Sequence, residues 1–340
     1  MPATPLPPLD GLFVGQQAVQ TAYLRILPLE RTHARHMRIL GYMMIHAPVE
    51  EGRADVARSI NECSTDLEVV ELGQHYFQYF VKYFQTLANK PTPTPSNHPS
   101  RPSVDARRDA ILASIQQAPA SHSEAKDYAL IRDNYRCLLT GTVDVRVYSD
   151  SPQLQEQLAT GPLPPLGTTE CCHILPQFIG QNISHHSGRR NNAANVWTVV
   201  QAYGGIPSEQ VNGPGIHHLR NILTLRSDIH NVFDQLLLWL DPVEGQANTY
   251  NVRRKFPTLC YPEVPPIVSF SPDSGLPTPD PQYLALHAAC ARVVHLSGAA
   301  EAIDSYLRNA QRKKVLSHDA LPADIELLDV LLSAEAIMTV

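Results

Sequence analysis

The sequence lacks the features of a membrane-spanning or secreted protein. No run approaches the roughly 18 consecutive apolar residues of a transmembrane helix. The first residues, "MPATPLPPLDGLFVG", have neither the basic start nor the apolar core of a signal peptide. We therefore expect an intracellular protein, and the sequence leaves nucleus or cytoplasm open.

Cysteine is also scarce, with six residues in a chain of 340. They are too few and too unevenly spaced for a disulfide framework. The sequence contains no Cys-x₂-Cys pair, the usual signature of a two-knuckle zinc site. Buried thiols are the simpler interpretation of these cysteines, and a metal site is the more specific one.

Negative charge is concentrated at the C-terminal end of the chain. The formal net charge is −6, and residues 316–340 carry five acidic residues and no Lys or Arg. The remainder is close to neutral, which argues against a protein that coats nucleic acid nonspecifically through a strongly basic face. A local site for a phosphate group is compatible with this balance.

The content of 43% hydrophobic and 18% charged residues is typical of a folded protein, and the length suggests about two folded units. Apolar residues at three- and four-residue steps predict a helical region over residues 1–90. Five prolines in "KPTPTPSNHPSRPS" predict a linker at residues 91–103. We expect a second unit over residues 104–315 and an acidic tail over residues 316–340.

Several elements of the second unit are predicted from local patterns. Alternation of Val143, Val145 and Val147 with polar residues favours a strand. Ser227 is a candidate N-cap for a helix over residues 228–238. A hairpin around Gly245 and a long helix over residues 281–314 follow. The expected fold class is α+β.

Five motifs follow one another over residues 137–241: "CLLTG", "ECCHILP", "RNILTL", "SDIHNVFD" and "LWLDP". In this order, with nine residues from Asn221 to His230, they resemble the HNH endonuclease family, in the variant found in many fungal proteins. The resemblance covers roughly a third of the chain. It implies a ββα-metal core and divalent-metal-dependent hydrolysis of DNA phosphodiester bonds.

The resemblance also implies roles for individual residues. His173 would be the general base, a role that suits a side chain with an ordinary pKa of about 6.5. Asn221 would orient the His173 ring by accepting its N–H. His230 and Asp234 lie four residues apart on the predicted helix and would share the metal ion from one face.

Cys172 stands where many family members have an Asp or His metal ligand. The expected ion is Mg²⁺, which suits carboxylate, water and phosphate oxygens, and Zn²⁺ or Mn²⁺ are alternatives because a thiolate prefers softer ions. Cys172 is then either a metal ligand or a small buried residue. Glu170 is an alternative acidic contributor, although strand alternation predicts that it faces opposite to His173. A competing interpretation is a zinc site assembled from cysteines and histidines, namely Cys171, Cys172, His173, His217 and His218.

The 47 residues between His173 and Asn221 form an insertion long enough to reach over a substrate. Arg189, Arg190 and Arg220 are candidate contacts for the phosphates of DNA. The alternative function, from a different class, is a catalytically inactive HNH-fold module that binds nucleic acid or another protein. The sequence indicates no particular protein partner or oligomeric state.

Overall fold

The computed structural model describes residues 3–81, 119–176, 196, 199–211, 213–259, 261–271, 274–303 and 305. Three features predicted from the sequence lie outside these residues: the Pro-rich linker, the pair Arg189 and Arg190, and the acidic tail. The described part is an α+β structure with small sheets between N-terminal and C-terminal helices, as the sequence predicts.

The N-terminal region consists of helices as far as it is described. These are α1 (Gln17–Leu29), α2 (Ala34–Ile45), α3 (Glu50–Glu62) and α4 (Asp66–Tyr76), followed by a π-helical turn at Phe77–Val81. The start of α4 is fixed by a capping box: Thr65 Oγ1 accepts from Glu68 N, and the Glu68 carboxylate accepts from Ser64 N.

Helix α5 (His122–Arg132) resumes after the gap in the described residues and packs on the strands of the site. Ser121 caps it by accepting a hydrogen bond from Glu124 N. Lys126 donates to the carbonyl of Thr169 at 3.0 Å. Arg132 donates to the carbonyls of Leu219 and Ile222 at 2.8 and 2.9 Å. These contacts fix the position of α5 along the strand pair.

The strand predicted from the alternating valines is wrong beyond its first two residues. Strand β1 comprises only Val143–Asp144 and is followed at once by α6 (Val145–Asp150). The reason is that Asp144 Oδ1 accepts from the backbone N–H groups of Arg146 and Val147 and so starts a helix. Helix α7 (Pro152–Leu158) and strand β2 (Leu166–Gly167), which pairs parallel to β1, complete this segment.

A ββα unit lies at the centre of the segment that carries the motifs. Strands β3 (Thr169–His173) and β4 (Ile222–Arg226) pair antiparallel, and α8 (Ser227–Asp234) follows β4 directly. Two sequence predictions about α8 are wrong. Ser227 is its first helical residue rather than its cap, and the helix ends at Asp234 because Leu236 adopts a positive φ of 57°.

The predicted hairpin around Gly245 is confirmed. Strands β5 (Leu238–Pro242), β6 (Thr249–Arg254) and β7 (Ile267–Ser269) form an antiparallel sheet in that order. Helix α9 (Pro281–Ser297) is capped by Asp280 and ends at Gly298, whose φ of 80° suits glycine. The helix predicted over residues 281–314 is thus interrupted at Gly298, and its part beyond residue 305 lies outside the described residues.

One hydrophobic cluster joins both sides of the predicted linker. It contains Tyr23 and Met43 from the N-terminal helices together with Leu223, Phe233 and Leu286 from the second region. The N-terminal helices therefore pack against the motif-bearing segment. Within the described residues, no helix has the length and apolar character needed to cross a membrane.

Candidate metal and hydrolase site

Strand β3 divides the functional side chains between two sides of the strand pair. Successive side chains of a strand point to opposite faces. Glu170 and Cys172 accordingly contact residues of α8, whereas Cys171 and His173 lie near His122 at the start of α5. The predicted orientation of Glu170, opposite to His173, is thus confirmed.

The side chains on the α8 side form a compact group, which we call the α8 cluster: Glu170, Cys172, His230 and Asp234. The Nε2 atom of His230 is 3.1 Å from Asp234 Oδ2, and the Cys172 thiol is 3.7 Å from Asp234 Oδ1. On the other side of the ring, His230 Nδ1 is 2.6 Å from Glu170 Oε2. The helical spacing of His230 and Asp234 brings both to one face, as predicted.

The electrostatics of the α8 cluster favour positive charge at its centre. Burial opposes the imidazolium of His230, but hydrogen bonds with Asp234, Cys172 and Glu170 outweigh that effect and hold its pKa well above the ordinary value. The hydrogen bond with His230 lowers the pKa of Glu170. Burial raises the pKa of the Cys172 thiol to about 12, so the thiol is neutral near pH 7. Two carboxylates thus surround one buried ring.

The donor set of the α8 cluster fits a divalent metal ion. The ligand atoms of Cys172, His230 and Asp234 all lie within 4.8 Å of one another. A thiol, an imidazole and a carboxylate together suit borderline transition metals, and the thiol is a poor ligand for Mg²⁺. Glu170 binds the ring nitrogen remote from this group, as carboxylates commonly do behind metal-binding histidines.

The opposite side of β3 carries a second group, which we call the α5 cluster: His122, Cys171, His173 and His217. The ligand atoms of His122, Cys171 and His173 also lie within 4.8 Å of one another. His173 Nε2 is 3.1 Å from His217 Nδ1, and the His122 and His173 rings stack with centroids 5.4 Å apart.

The imidazole rings of the α5 cluster are held neutral. Burial, followed by the nearby His122 and His217, lowers the pKa of His173 well below its ordinary value. Burial and His217 lower the pKa of His122 to about 4. A neutral His173 ring has a lone pair with which to accept a proton. The short contact with His217 requires that one of the two facing nitrogens carries a proton.

Asn221 does not orient His173, contrary to the sequence prediction. Its side-chain oxygen accepts from Leu175 N at 2.8 Å, and its amide nitrogen donates to the carbonyls of Leu175 and Ile216 at 3.1 and 3.0 Å. These three bonds tie the chain after β3 to the chain before β4. The side chain is therefore a clamp between the two strand ends, on which the position of His173 depends.

The zinc site that combines both adjacent cysteines is not formed. Cys171 and Cys172 face opposite sides of β3, which follows from strand alternation, and His218 instead accepts a hydrogen bond from Arg220 N. Arg220 is exposed and lies immediately before Asn221. Its contact with nucleic acid stays a prediction, as do those of Arg189 and Arg190.

Sequence reasoning missed His122 altogether. This residue lies 51 positions before His173 and belongs to none of the five motifs, so no local signal connects it with the site. Glu170 was noticed, but its role behind His230 was not. Both positions depend on how α5 and α8 pack against β3.

Comparison with protein families agrees with the order of the motifs. Residues 137–241 match the model of the HNH endonuclease family, and the resemblance seen in the sequence is therefore confirmed over this segment. That segment contains β3, β4, α8 and the first four residues of β5. No significant match to the chain was found among curated proteins or among solved structures.

Proposed function

We propose that this protein is a divalent-metal-dependent endonuclease that hydrolyses phosphodiester bonds of DNA. The observation that carries the proposal is the convergence of Cys172, His230 and Asp234 at the junction of β3 and α8, within a segment that matches the HNH endonuclease family. Family membership supports nuclease chemistry, and the ligand group supports its dependence on a metal ion.

In this proposal the α8 cluster holds the ion. His230, Asp234 and Cys172 are the ligands, and Glu170 fixes the His230 ring by accepting from its Nδ1–H. A bound divalent ion would supply stabilisation for the negative charge that develops on the phosphate. The donor set favours Zn²⁺ over the Mg²⁺ expected from the resemblance alone.

His173 acts as the general base in this proposal. Its ring is neutral, because burial and the neighbouring rings lower its pKa, and a neutral imidazole takes a proton from the attacking water. His217 Nδ1 contacts His173 Nε2, so His217 holds the ring and either donates to it or accepts from it. Asn221 acts indirectly, by clamping the chain that carries His173.

The experiment is a nicking assay on supercoiled plasmid DNA with the full chain. Mg²⁺, Mn²⁺ and Zn²⁺ are tested separately, and EDTA is the metal-free control. The variants are His173→Ala and His230→Ala, with His75→Ala as a matched control because His75 lies in α4, outside both clusters. Circular dichroism checks that each variant is folded.

Metal-dependent nicking that is lost in His173→Ala and His230→Ala but kept in His75→Ala supports the proposal. Full activity of folded His173→Ala refutes the assignment of the base. If the folded wild-type protein does not nick DNA with any of the ions, the proposal that it is a nuclease is refuted. That result would favour the alternative of an inactive module that binds nucleic acid or protein, which a DNA-binding assay under the same conditions then tests.

A further inference from the structure

The α5 cluster is a second constellation of metal-ligating side chains, separate from the α8 cluster. Its residues come from α5, from β3 and from the turn before Asn221. The two clusters share no residue, because strand alternation sends Cys171 and His173 to one side and Glu170 and Cys172 to the other. The proposed nuclease reaction uses only His173 and His217 of this group.

Two of its side chains carry buried metal-ligating atoms that the proposed nuclease reaction does not use. The Nδ1 atom of His122 is buried and has no hydrogen-bond partner among the described residues. The Cys171 side chain is almost completely buried, at 2% exposure, although it is adjacent to two imidazole rings. A buried polar nitrogen without a partner costs free energy, which a bound ligand would recover.

We propose that the α5 cluster binds a soft divalent cation such as Zn²⁺ through His122, Cys171 and His173, with His217 as the fourth ligand. Imidazole nitrogens and thiolate sulfur are the ligands that tetrahedral zinc takes in proteins. The three ligand atoms already lie within 4.8 Å of one another, and His217 Nδ1 is 3.1 Å from the His173 ring. His217 would complete the site by turning its ring toward the ion bound by the other three.

Proton balance at this site is simple. Each of the three neutral imidazole rings binds the ion through its unprotonated nitrogen, so the rings release no proton. The Cys171 thiol loses its proton to solvent when the sulfur–metal bond forms. The Lys126 ammonium group of α5 donates a hydrogen bond to the carbonyl of Thr169. Hard ions such as Mg²⁺ are excluded, since the cluster offers no oxygen ligand.

Occupation of this site has a consequence for catalysis, and this part rests on the proposed function. A cation bound to His173 occupies a lone pair of the ring and opposes its protonation. Zinc at the α5 cluster would thus inhibit the nuclease even when another ion occupies the α8 cluster. The fold would then contain one activating and one inhibitory metal site, with the neighbouring residues Cys172 and His173 at the end of β3 as their respective ligands.

The binding experiment uses Co²⁺ as a spectroscopic substitute for Zn²⁺. It is done with the full chain carrying Cys172→Ser, so that Cys171 is the one cysteine that remains in the two clusters. The variants His122→Ala and His122→Gln are compared with His75→Ala on that background. We expect a thiolate-to-cobalt charge-transfer band that His75→Ala keeps. Either His122 variant should weaken Co²⁺ binding more than about 100-fold, since even outer partners of ligands contribute about 10–100-fold.

Two results would overturn the second site. One is a charge-transfer band that folded His122→Gln leaves unchanged, and the other is no band at all in folded Cys172→Ser protein. An additional Cys171→Ser substitution must abolish the band, whereas Cys63→Ser, in the N-terminal helices, must not. None of these readouts requires nuclease activity, so they test the site even if the proposed function fails.

The inhibition experiment adds Zn²⁺ to the nicking assay run in Mn²⁺. We expect Zn²⁺ to inhibit wild-type protein and His75→Ala alike, and His122→Gln to need at least about tenfold more Zn²⁺ for the same inhibition. Equal inhibition of all three would refute the link between the α5 cluster and catalysis. Absence of nicking in every metal refutes the proposed function instead and leaves the cobalt result to decide the site.

Discussion

The carboxylate of Glu170 and the imidazole of His230 are 2.6 Å apart, although the residues are 60 positions apart in sequence. The pairing uses His230 Nδ1 and directs Nε2 toward Asp234, 3.1 Å away. Glu170 therefore sets the orientation of a candidate metal ligand from the neighbouring strand. This is the arrangement in which carboxylates commonly support metal-binding histidines.

We predict that Glu170→Gln lowers the affinity for Mn²⁺ by about 10–100-fold, because the ring of His230 loses its anionic partner. Nicking should fall at limiting Mn²⁺ and recover at high Mn²⁺, since the ligands themselves remain. Activity measured against ion concentration checks this. Glu71→Gln, an exposed residue of α4, is the matched control. A loss that excess Mn²⁺ cannot restore would contradict the positioning role.

The thiol of Cys172 should determine which ion is preferred. We predict that Cys172→Ser reduces the affinity for Zn²⁺ about tenfold or more relative to Mn²⁺, because a hydroxyl oxygen is a harder ligand than a thiolate. Competition between the two ions, followed by equilibrium dialysis, measures the ratio. It is done with His122→Ala present, to remove the α5 cluster. An unchanged ratio would show that Cys172 does not bind the ion.

Asn221 should be important for stability rather than for proton transfer. Asn221→Ala removes three hydrogen bonds and leaves the backbone groups of Leu175 and Ile216 buried without partners. We expect the free energy of unfolding to fall by about 3 kcal/mol. Urea unfolding checks this, with Asn231→Ala as control because Asn231 is exposed and its side chain accepts a hydrogen bond from Gln235 of the same helix end. Equal midpoints for both variants would refute the clamp.

The buried His287 predicts sensitivity to acid. Its ring stacks on Phe233, and burial lowers its pKa to about 3. The folded state keeps the ring neutral, whereas the unfolded state binds a proton below about pH 6.5, so stability falls as pH decreases from 6.5 toward 3. His287→Leu should reduce this slope by about 1.4 kcal/mol per pH unit near pH 5.

Chemical unfolding at several pH values measures the slope for wild-type protein and for His287→Leu. Above pH 7 the two slopes should coincide, because both states are then uncharged at this position. The partly buried His46 and the buried His295 have pKa values lowered to about 4 and contribute to the remaining slope. Identical slopes below pH 6 would show that His287 is not held neutral.

Local patterns predicted much of the candidate site. The spacing of His230 and Asp234 brings them to one helix face, and alternation along β3 separates Glu170 from His173. These properties depend on residues near in sequence and on regular backbone geometry. The helical N-terminal region and the hairpin around Gly245 were predicted for the same reason.

Two predictions from local patterns were wrong because of the conformation or the hydrogen bonds of a single residue. Asp144 caps α6 and so replaces a predicted strand by a helix. Helix α8 ends at Asp234, four residues before its predicted end, and Leu236 just beyond it adopts a left-handed conformation. Alternating valines favour a strand, but a capping carboxylate that satisfies two free N–H groups favours a helix more strongly at this position.

The sequence by itself determined the order of the ββα elements, the candidate ligand pair on α8 and the resemblance of residues 137–241 to the HNH endonuclease family. Only the tertiary structure decided that Glu170 supports His230, that Asn221 clamps two strand ends and that His122 joins Cys171 and His173. These pairs are separated by tens of residues, and their contacts depend on how α5 and α8 pack against β3. Periodicity reports which face of an element is buried, but not which distant side chain lies opposite that face.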